Sequence, residues 1–592
     1  MLELYVIVPL AVAAVVSLLL HRHGNYIKYI ALGASILSLI FIATFLYSNH
    51  GTLQTVNWFS ISGYVFTLNF SAMPLNMLLL LIVGIVTPLI MAYSFGFMDT
   101  QSEQGRYYAE ICVFAAAMMV FAIAGDFLTM FIGWELLGIT SYLLIGFWYQ
   151  RSGTAEAARK AITTILFGDI MMLSAMLIIW SNYHTFMFSQ IINTANVHAL
   201  PMEVSLILIM LAAFTKSAQF PFHEWLADAM KGPTPVSAFL HSSTMVKAGV
   251  FIVAVLLPLF IAYHLLYLLA AFGIITAFIG ATNALAEVHI KRILAYSTMV
   301  DLGLMFVALG MGSLIAAMLL FVVQTFYKAL LFMSAGDIMK ANNNKEDIRE
   351  IYNSPSYVKL FAPTAIGVAS LIGLYPLSGF FGKAALFTTA SLPLYALLLA
   401  VELISSLYIF RWLFVPMRRK SNREAVGAMA SYRTLPKSMI VPIYILALLA
   451  ALTGPAIFLY VPKYLNAYGA AVPGVGLMDI AVSITIAAFG IVAAFYIFYR
   501  NSGKAVEAGI LHRILYSSTL FNTMYGCVAR AFDAASKALD SADYSMFGIV
   551  KDGGHGVTGF GSLIKRAENG DIRTYVAVFI VGMLVILALF LL

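Results

Sequence analysis

Eight ionisable residues, Glu135, Asp169, Lys216, His241, Lys247, Lys328, Lys383 and Glu402, stand inside long apolar runs of the chain. Placing such a group at the centre of a bilayer costs at least about 2.5 kcal/mol on insertion scales, so each one needs a compensating partner or a function. One would be a curiosity; eight over successive runs point to a polar path in the plane of a membrane. The chemistry such a path supports is proton transfer. Desolvation favours the neutral form of a buried lysine and a nearby carboxylate favours the charged form, so separating the two switches a proton-binding site. Histidine exchanges a proton near neutral pH, and His241 precedes Lys247 by about one and a half helical turns. The bland alternative is that these groups only tie helices together. It competes most strongly at Asp169 and Lys328, and least at Lys216, which stands next to a broken helix.

The elements that must position these groups are membrane helices. Of 592 residues, 62% are hydrophobic and only 10% charged, against roughly 25% charged in an ordinary soluble domain, which excludes both a soluble enzyme and a disordered chain. Apolar windows predict an all-α polytopic protein of about sixteen spans, at 2–20, 27–48, 73–95, 108–125, 127–148, 161–183, 202–220, 235–260, 263–285, 290–309, 311–336, 357–390, 391–414, 438–462, 477–499 and 573–592. The first run carries Glu3 and has no basic start, so it reads as a retained span and not a signal peptide. Arg22, Lys28, Arg151, Lys160, Lys291, Arg292, Lys340, Lys359, Arg418 and Lys437 fall in or border alternate loops, while the intervening loops hold essentially Lys463. This segregation puts the N-terminus outside. The net charge of +7 suits topology and anionic lipid better than nucleic acid. Cys112 and Cys527 are too far apart in sequence to suggest a metal or cluster site.

Two runs are interrupted. Lys216-Ser-Ala-Gln-Phe-Pro221 breaks the seventh span and Pro376-Leu-Ser-Gly-Phe-Phe-Gly-Lys383 the twelfth, each with a lysine beside a proline. Five spans separate them, and an odd number of spans per unit inverts the second unit, as in transporters built from inverted repeats. The expected organisation is N-terminal spans at 1–107, a first five-span repeat at 108–260, a second, inverted one at 261–414 and two further spans within 415–499. A lateral amphipathic helix at 500–572 and a last span at 573–592 complete it. Through Leu511, Ile514, Leu515, Phe521, Met524, Val528, Phe532 and Leu539 the 500–572 segment has helical apolar spacing interleaved with charge, which suits a helix lying along the membrane surface. Its glycine cluster from Gly553 to Gly561 should interrupt that helix.

Several stretches resemble the antiporter-like subunits of complex I. They are Phe131-Ile-Gly-Trp-Glu-Leu-Leu-Gly-Ile-Thr-Ser-Tyr-Leu-Leu-Ile-Gly-Phe147, the Lys216–Pro221 break, the run from Trp225 to Ser237, and His241-Ser-Ser-Thr-Met-Val-Lys-Ala-Gly249. Lys291-Arg-Ile-Leu-Ala-Tyr-Ser-Thr298, Tyr327-Lys-Ala-Leu-Leu-Phe332 and Gly379-Phe-Phe-Gly-Lys383 continue the match in order. The segment ending in Glu568-Asn-Gly-Asp-Ile-Arg-Thr-Tyr575 and the final run resemble only the distal member, subunit L of NADH-quinone oxidoreductase, itself related to Mrp antiporter subunits.

That resemblance implies proton translocation coupled to quinone reduction carried out elsewhere in a complex. Glu135 would modulate Lys216, with Asp169 a supporting carboxylate nearby; His241 would relay, Lys328 would be a central-axis lysine and Lys383 the terminal lysine of the second half-channel. It implies no cofactor in this chain, with quinone, flavin and iron–sulfur clusters in other subunits. The partners would be other membrane-arm subunits braced by 500–572, in the plasma membrane of a prokaryote. The chain departs from the family at Leu320 and Gln324, where histidines are usual, and at Ala384–Ala385, where acids follow the terminal lysine. Glu402, the only acid in the thirteenth span, is therefore expected to face Lys383. Lys247 is shared with sister subunits and Mrp-type subunits. It favours a cation/proton antiporter as the alternative, whereas an end at Leu592 without a further membrane module counts against it. The equivalent subunit of a membrane-bound hydrogenase or F420 dehydrogenase, and a purely bracing role, are the other readings.

Overall fold

The computed structural model describes residues 2–500, except 21–23, 49–52, 62–63, 100, 102, 194–198, 352–354, 418–434 and 465–473, together with Arg530, Ala534 and Lys537. Two compact units divide the chain, Met1–Ser517 and Ser518–Leu592. The expected lateral helix, its glycine interruption and the last span lie outside the described residues.

The first unit is built of helices that follow the apolar runs: α1 Leu2–Leu19, α2 Gly24–Ser48, α3 Pro74–Phe97, α4 Gln104–Ala122, α5 Phe127–Ile145, α6 Thr154–Tyr183, α7 Phe188–Ile192, α8 Leu200–Lys216, α9 Glu224–Asp228, α10 Thr234–Ser242 and α11 Met245–Val255. They continue with α12 Leu257–Ala262, α13 Leu266–Ala286, α14 Ile290–Gly310, α15 Leu314–Ala341, α16 Pro355–Leu371, α17 Ser378–Thr389, α18 Leu392–Phe414, α19 Lys437–Tyr464 and α20 Leu477–Ala494. Among the described residues twelve helical segments are long and apolar enough to cross a membrane, against about sixteen expected. The difference has physical causes. α1 supplies only a shorter apolar helix, α8 stops at Lys216, the expected twelfth span is two half-helices, α16 and α17, and the sixteenth run is not described.

An antiparallel hairpin, β1 Leu53–Ile61 and β2 Tyr64–Ser71, was not anticipated. It anchors the start of α5. The Asn69 amide donates to Thr129 Oγ1 at 2.9 Å and its side chain donates to Asp126, while Asp126 Oδ1 caps α5 by accepting from the Thr129 amide at 2.7 Å.

At the centre runs α15, wholly buried along its span and packed by α3, α10, α14, α16, α17 and α19. Its neighbour α14 is fixed against α13 by glycine-to-glycine contact: a Cβ at Gly303 would stand 2.5 Å from the Gly273 carbonyl oxygen. Lys291, expected in a loop, is instead the second residue of α14, buried and donating to the Met230 and Gly232 carbonyls.

Candidate proton path

Lys216 is the last residue of α8, wholly buried. A helix C-terminus favours a cation there, because the last carbonyls carry partial negative charge. Beyond it the chain turns through Ala218 at φ 48° and reaches Pro221 in a non-helical link, so the break lies where Pro221 predicts it. The Trp225 indole repairs the end of the helix by donating to the Thr215 carbonyl at 2.9 Å. Lys216 Nζ donates to the Trp134 carbonyl, lies over the Trp134 ring at 4.1 Å from its centroid, and stands 3.9 Å from Asp169 Oδ1, which accepts from Trp134 Nε1 at 2.6 Å. Glu135, expected to modulate Lys216, is half-buried and lies within electrostatic reach of Lys216 and Asp169, while Asp169 is the carboxylate within 4 Å of the ammonium. The reason is helical geometry. Neighbouring residues of α5 diverge by about 100°, so the turn that brings the Trp134 indole to Lys216 leaves Glu135 beside the ammonium without direct contact.

His241 and Lys247 were expected on one continuous helix. The structure interrupts it at Ser243–Thr244, where Thr244 adopts φ −127°, ψ −115° and its hydroxyl donates to the Phe239 carbonyl at 2.7 Å. Both residues are wholly buried. His241 lies 5.6 Å from the Phe332 ring, centroid to centroid, and its backbone carbonyl accepts from Gln324 at 3.2 Å. Lys247 donates to the Phe321 carbonyl and to Thr325 Oγ1 at 2.5 Å, so it is held by neutral acceptors of α15.

Lys328 projects from α15 to α14. Its Nζ is 2.5 Å from Ser297 Oγ and 3.1 Å from Asp301 Oδ2. Lys383 lies in α17, whose approach to α16 leaves no space for a side chain at Gly379 against the Ser370 carbonyl. Its Nζ donates to Glu402 Oε2 of α18 at 2.5 Å. Arg411, nine residues further along α18, is too far along the helix to pair with Glu402 and donates to the Ala284 carbonyl at 3.0 Å and to that of Glu287. Beside Lys383 and Glu402 a cavity of about 30 Å³, enough for a water, extends to Asp479 and Ser483 of α20.

Sequence reasoning passed over Asp301, Asp337 and Trp134. Asp301 and Asp337 are acids within apolar runs, and the insertion cost that picks out the other eight applies equally to them. Asp337 is wholly buried and accepts from the Tyr93 hydroxyl at 2.8 Å. Trp134 could not be found this way, since half of its contribution is a backbone carbonyl. Outside the spans, a polar cavity of about 410 Å³ is lined by Arg151, Asp228, Lys231, His289, Arg292 and Glu346. There His289 Nε2 meets Glu346 Oε2 at 2.6 Å. Burial pushes the Glu346 carboxyl up, but the His289 hydrogen bond and the charges of Lys291, His289 and Arg151 outweigh it and hold the group below the usual glutamate range.

The family model described as NADH:quinone oxidoreductase/Mrp antiporter, TM, matches residues 124–408, the stretch that holds all eight residues. A second model, NADH-ubiquinone oxidoreductase (complex I), chain 5 N-terminus, matches residues 58–108. NADH-quinone oxidoreductase subunit L of Buchnera aphidicola is 31% identical over 555 residues, covering 90% of this chain and 88% of that one. The chain belongs to the antiporter-like subunits of complex I. Among its relatives in that family, F(420)H(2) dehydrogenase subunit L of Methanosarcina mazei is 29% identical, with 96% of this chain and 94% of the relative covered. The antiporter-like fold is shared with the Mrp complex from Dietzia sp. DQ12-45-1b, at a TM-score of 0.75 and 24% identity, over 90% of this chain and 60% of that one.

Proposed function

We propose that this antiporter-like subunit translocates protons in the membrane arm of a complex I-like quinone oxidoreductase, coupled to electron transfer in other subunits. Quinone, flavin and iron–sulfur clusters belong to those subunits in this reading. The observation that carries it is the placement of Lys216 and Lys383: both are buried, both adjoin a helix break, and both have a carboxylate at hand. Glu135, Asp169 and Lys216 form the first station, His241 and Lys247 the relay, Lys328 the central station, and Lys383 with Glu402 the outlet. The two breaks belong to inverted repeats at 108–260 and 261–414, the N-terminus lies outside a prokaryotic plasma membrane, and residues 500–572 brace neighbouring membrane-arm subunits.

The test uses the intact complex in proteoliposomes. Lys216→Met or Lys383→Met, in a complex that assembles, should lower the protons moved per electron; full pumping in both would reject the path. The antiporter reading draws on Lys247, whose burial against α15 shows that the residue is built into the interior. Purification of the native assembly separates the two. Co-purifying flavin and iron–sulfur subunits support the oxidoreductase, and cation-driven proton exchange without them supports the antiporter.

A further inference from the structure

We propose that Asp301 is the positioning carboxylate of Lys328, so that the second half of the path holds two buried acid–lysine pairs, Lys328–Asp301 and Lys383–Glu402. This inference rests on the proton-path reading above.

The geometry is built by two helices. Ser297 and Asp301 are four residues apart on α14, hence one turn apart on one face, and both reach the Lys328 ammonium, at 2.5 Å and 3.1 Å. Lys328 is wholly buried and Asp301 is 3% exposed, so neither charge is answered by solvent. The close packing of Gly303 on Gly273, half a turn beyond Asp301, fixes α14 at this height.

Charge balance points the same way. The ionisable groups facing Lys328 are Asp301 from α14, His241 from α10, Lys383 from α17 and Glu402 from α18. Lys247, from α11, also lies within electrostatic reach of Asp301, so positive charge outnumbers the two carboxylates here and each carboxylate is needed. Without Asp301, Lys328 and Lys383 would share Glu402 alone, and that carboxylate is already in contact with Lys383 at 2.5 Å. A buried charge stripped of its partner is strongly unfavourable, so Asp301 lets Lys328 hold its proton beside a second lysine. In the proposed repeat the fifth and tenth spans correspond, and these are the spans that carry Glu135 and Asp301. Each half then has an acid on the same element, although only Asp301 touches a lysine of the path.

Asp301 acts through Lys328, so its test must move more than stability. In the intact complex in proteoliposomes, driven by its own electron donor, Asp301→Asn should lower protons moved per electron to the level of Lys328→Met. Asp301→Glu, which restores the charge, should recover most of it. Adding Lys328→Met to Asp301→Asn should do no further harm beyond Lys328→Met alone. Wild-type pumping by Asp301→Asn would overturn the inference, as would an Asp301→Glu complex as impaired as Asp301→Asn. If Asp301→Asn does not assemble, the double variant decides: regained assembly shows that the stranded lysine was the fault, and continued failure overturns the pairing. Lys216→Met and Lys383→Met are measured alongside. Normal pumping in both rejects the path itself, whereas their failure beside a normal Asp301→Asn rejects only the role given to Asp301.

Discussion

The two lysines at the helix breaks are held in opposite ways. Lys216 ends its helix and rests on neutral groups, a backbone carbonyl and an indole face, with its carboxylate at 3.9 Å. Lys383 lies within its half-helix and is bound directly to a full negative charge on another helix at 2.5 Å. A lysine on neutral dipoles can gain or lose a proton and keep its ligands. A lysine in direct ion pairing cannot lose its proton without leaving a carboxylate stranded. In the proposed path this contrast would make the first site the one for loading and the second the one for release, when α17 and α18 part.

The largest effect should come from Glu402→Ala. Removing one partner of a buried pair costs about 3–5 kcal/mol, so the assembled complex should show a clearly lowered thermal midpoint. Asp169→Asn should cost less, about 1–2 kcal/mol, because the asparagine Oδ1 can still accept the Trp134 indole and the Trp134 carbonyl still holds Lys216. Equal destabilisation by the two variants, compared by thermal melting of the purified complex, would break the contrast. Glu135→Gln comes third. A half-buried residue without an ion pair should change stability by less than about 1 kcal/mol, yet its proximity to Asp169 and Lys216 should lower proton pumping. A stable variant that pumps at the wild-type rate would remove Glu135 from the first station.

How much of this was legible in the sequence depended on whether a residue's role is carried by its own side chain. The juxtaposition of Lys383 and Glu402 follows from burial cost: an acid missing after the lysine must be made good by the one acid in the next span. That Asp169 and Trp134, and not Glu135, make the direct contacts to Lys216 was not legible, because a span assignment does not give rotation about the helix axis. The interruption at Thr244 was not legible either. It contains no proline or glycine, and its bend is secured by the Thr244 hydroxyl, which donates to the Phe239 carbonyl alongside the long 3.5 Å bond from the Ser243 amide. The hairpin at 53–71 was passed over because it lies between apolar runs, where period-two alternation is easily taken for loop.

The smallest effect sharpens the contrast from outside the membrane. Glu346 is 46% exposed and meets His289 at 2.6 Å in the loop after α15. Its carboxyl is held below the usual range, so it contributes stability at pH values above the unfolded glutamate value, near 4.3, and loses it as pH falls through the lower folded value. Solvent screening limits that contribution to about 1 kcal/mol or less. Glu346→Gln should therefore lower the thermal midpoint slightly at neutral pH, and the two melting curves should converge as the medium is acidified below about pH 4. A gap that stays constant with pH would assign the loss to packing and not to charge. Convergence would set an exposed acid–base contact of 2.6 Å beside a buried one of 2.5 Å. With distance so nearly matched, the far larger cost expected of Glu402→Ala would be traceable to the burial of the Lys383–Glu402 pair, the condition under which, in the proposed path, the partner of a proton-carrying lysine must move before the lysine can let go.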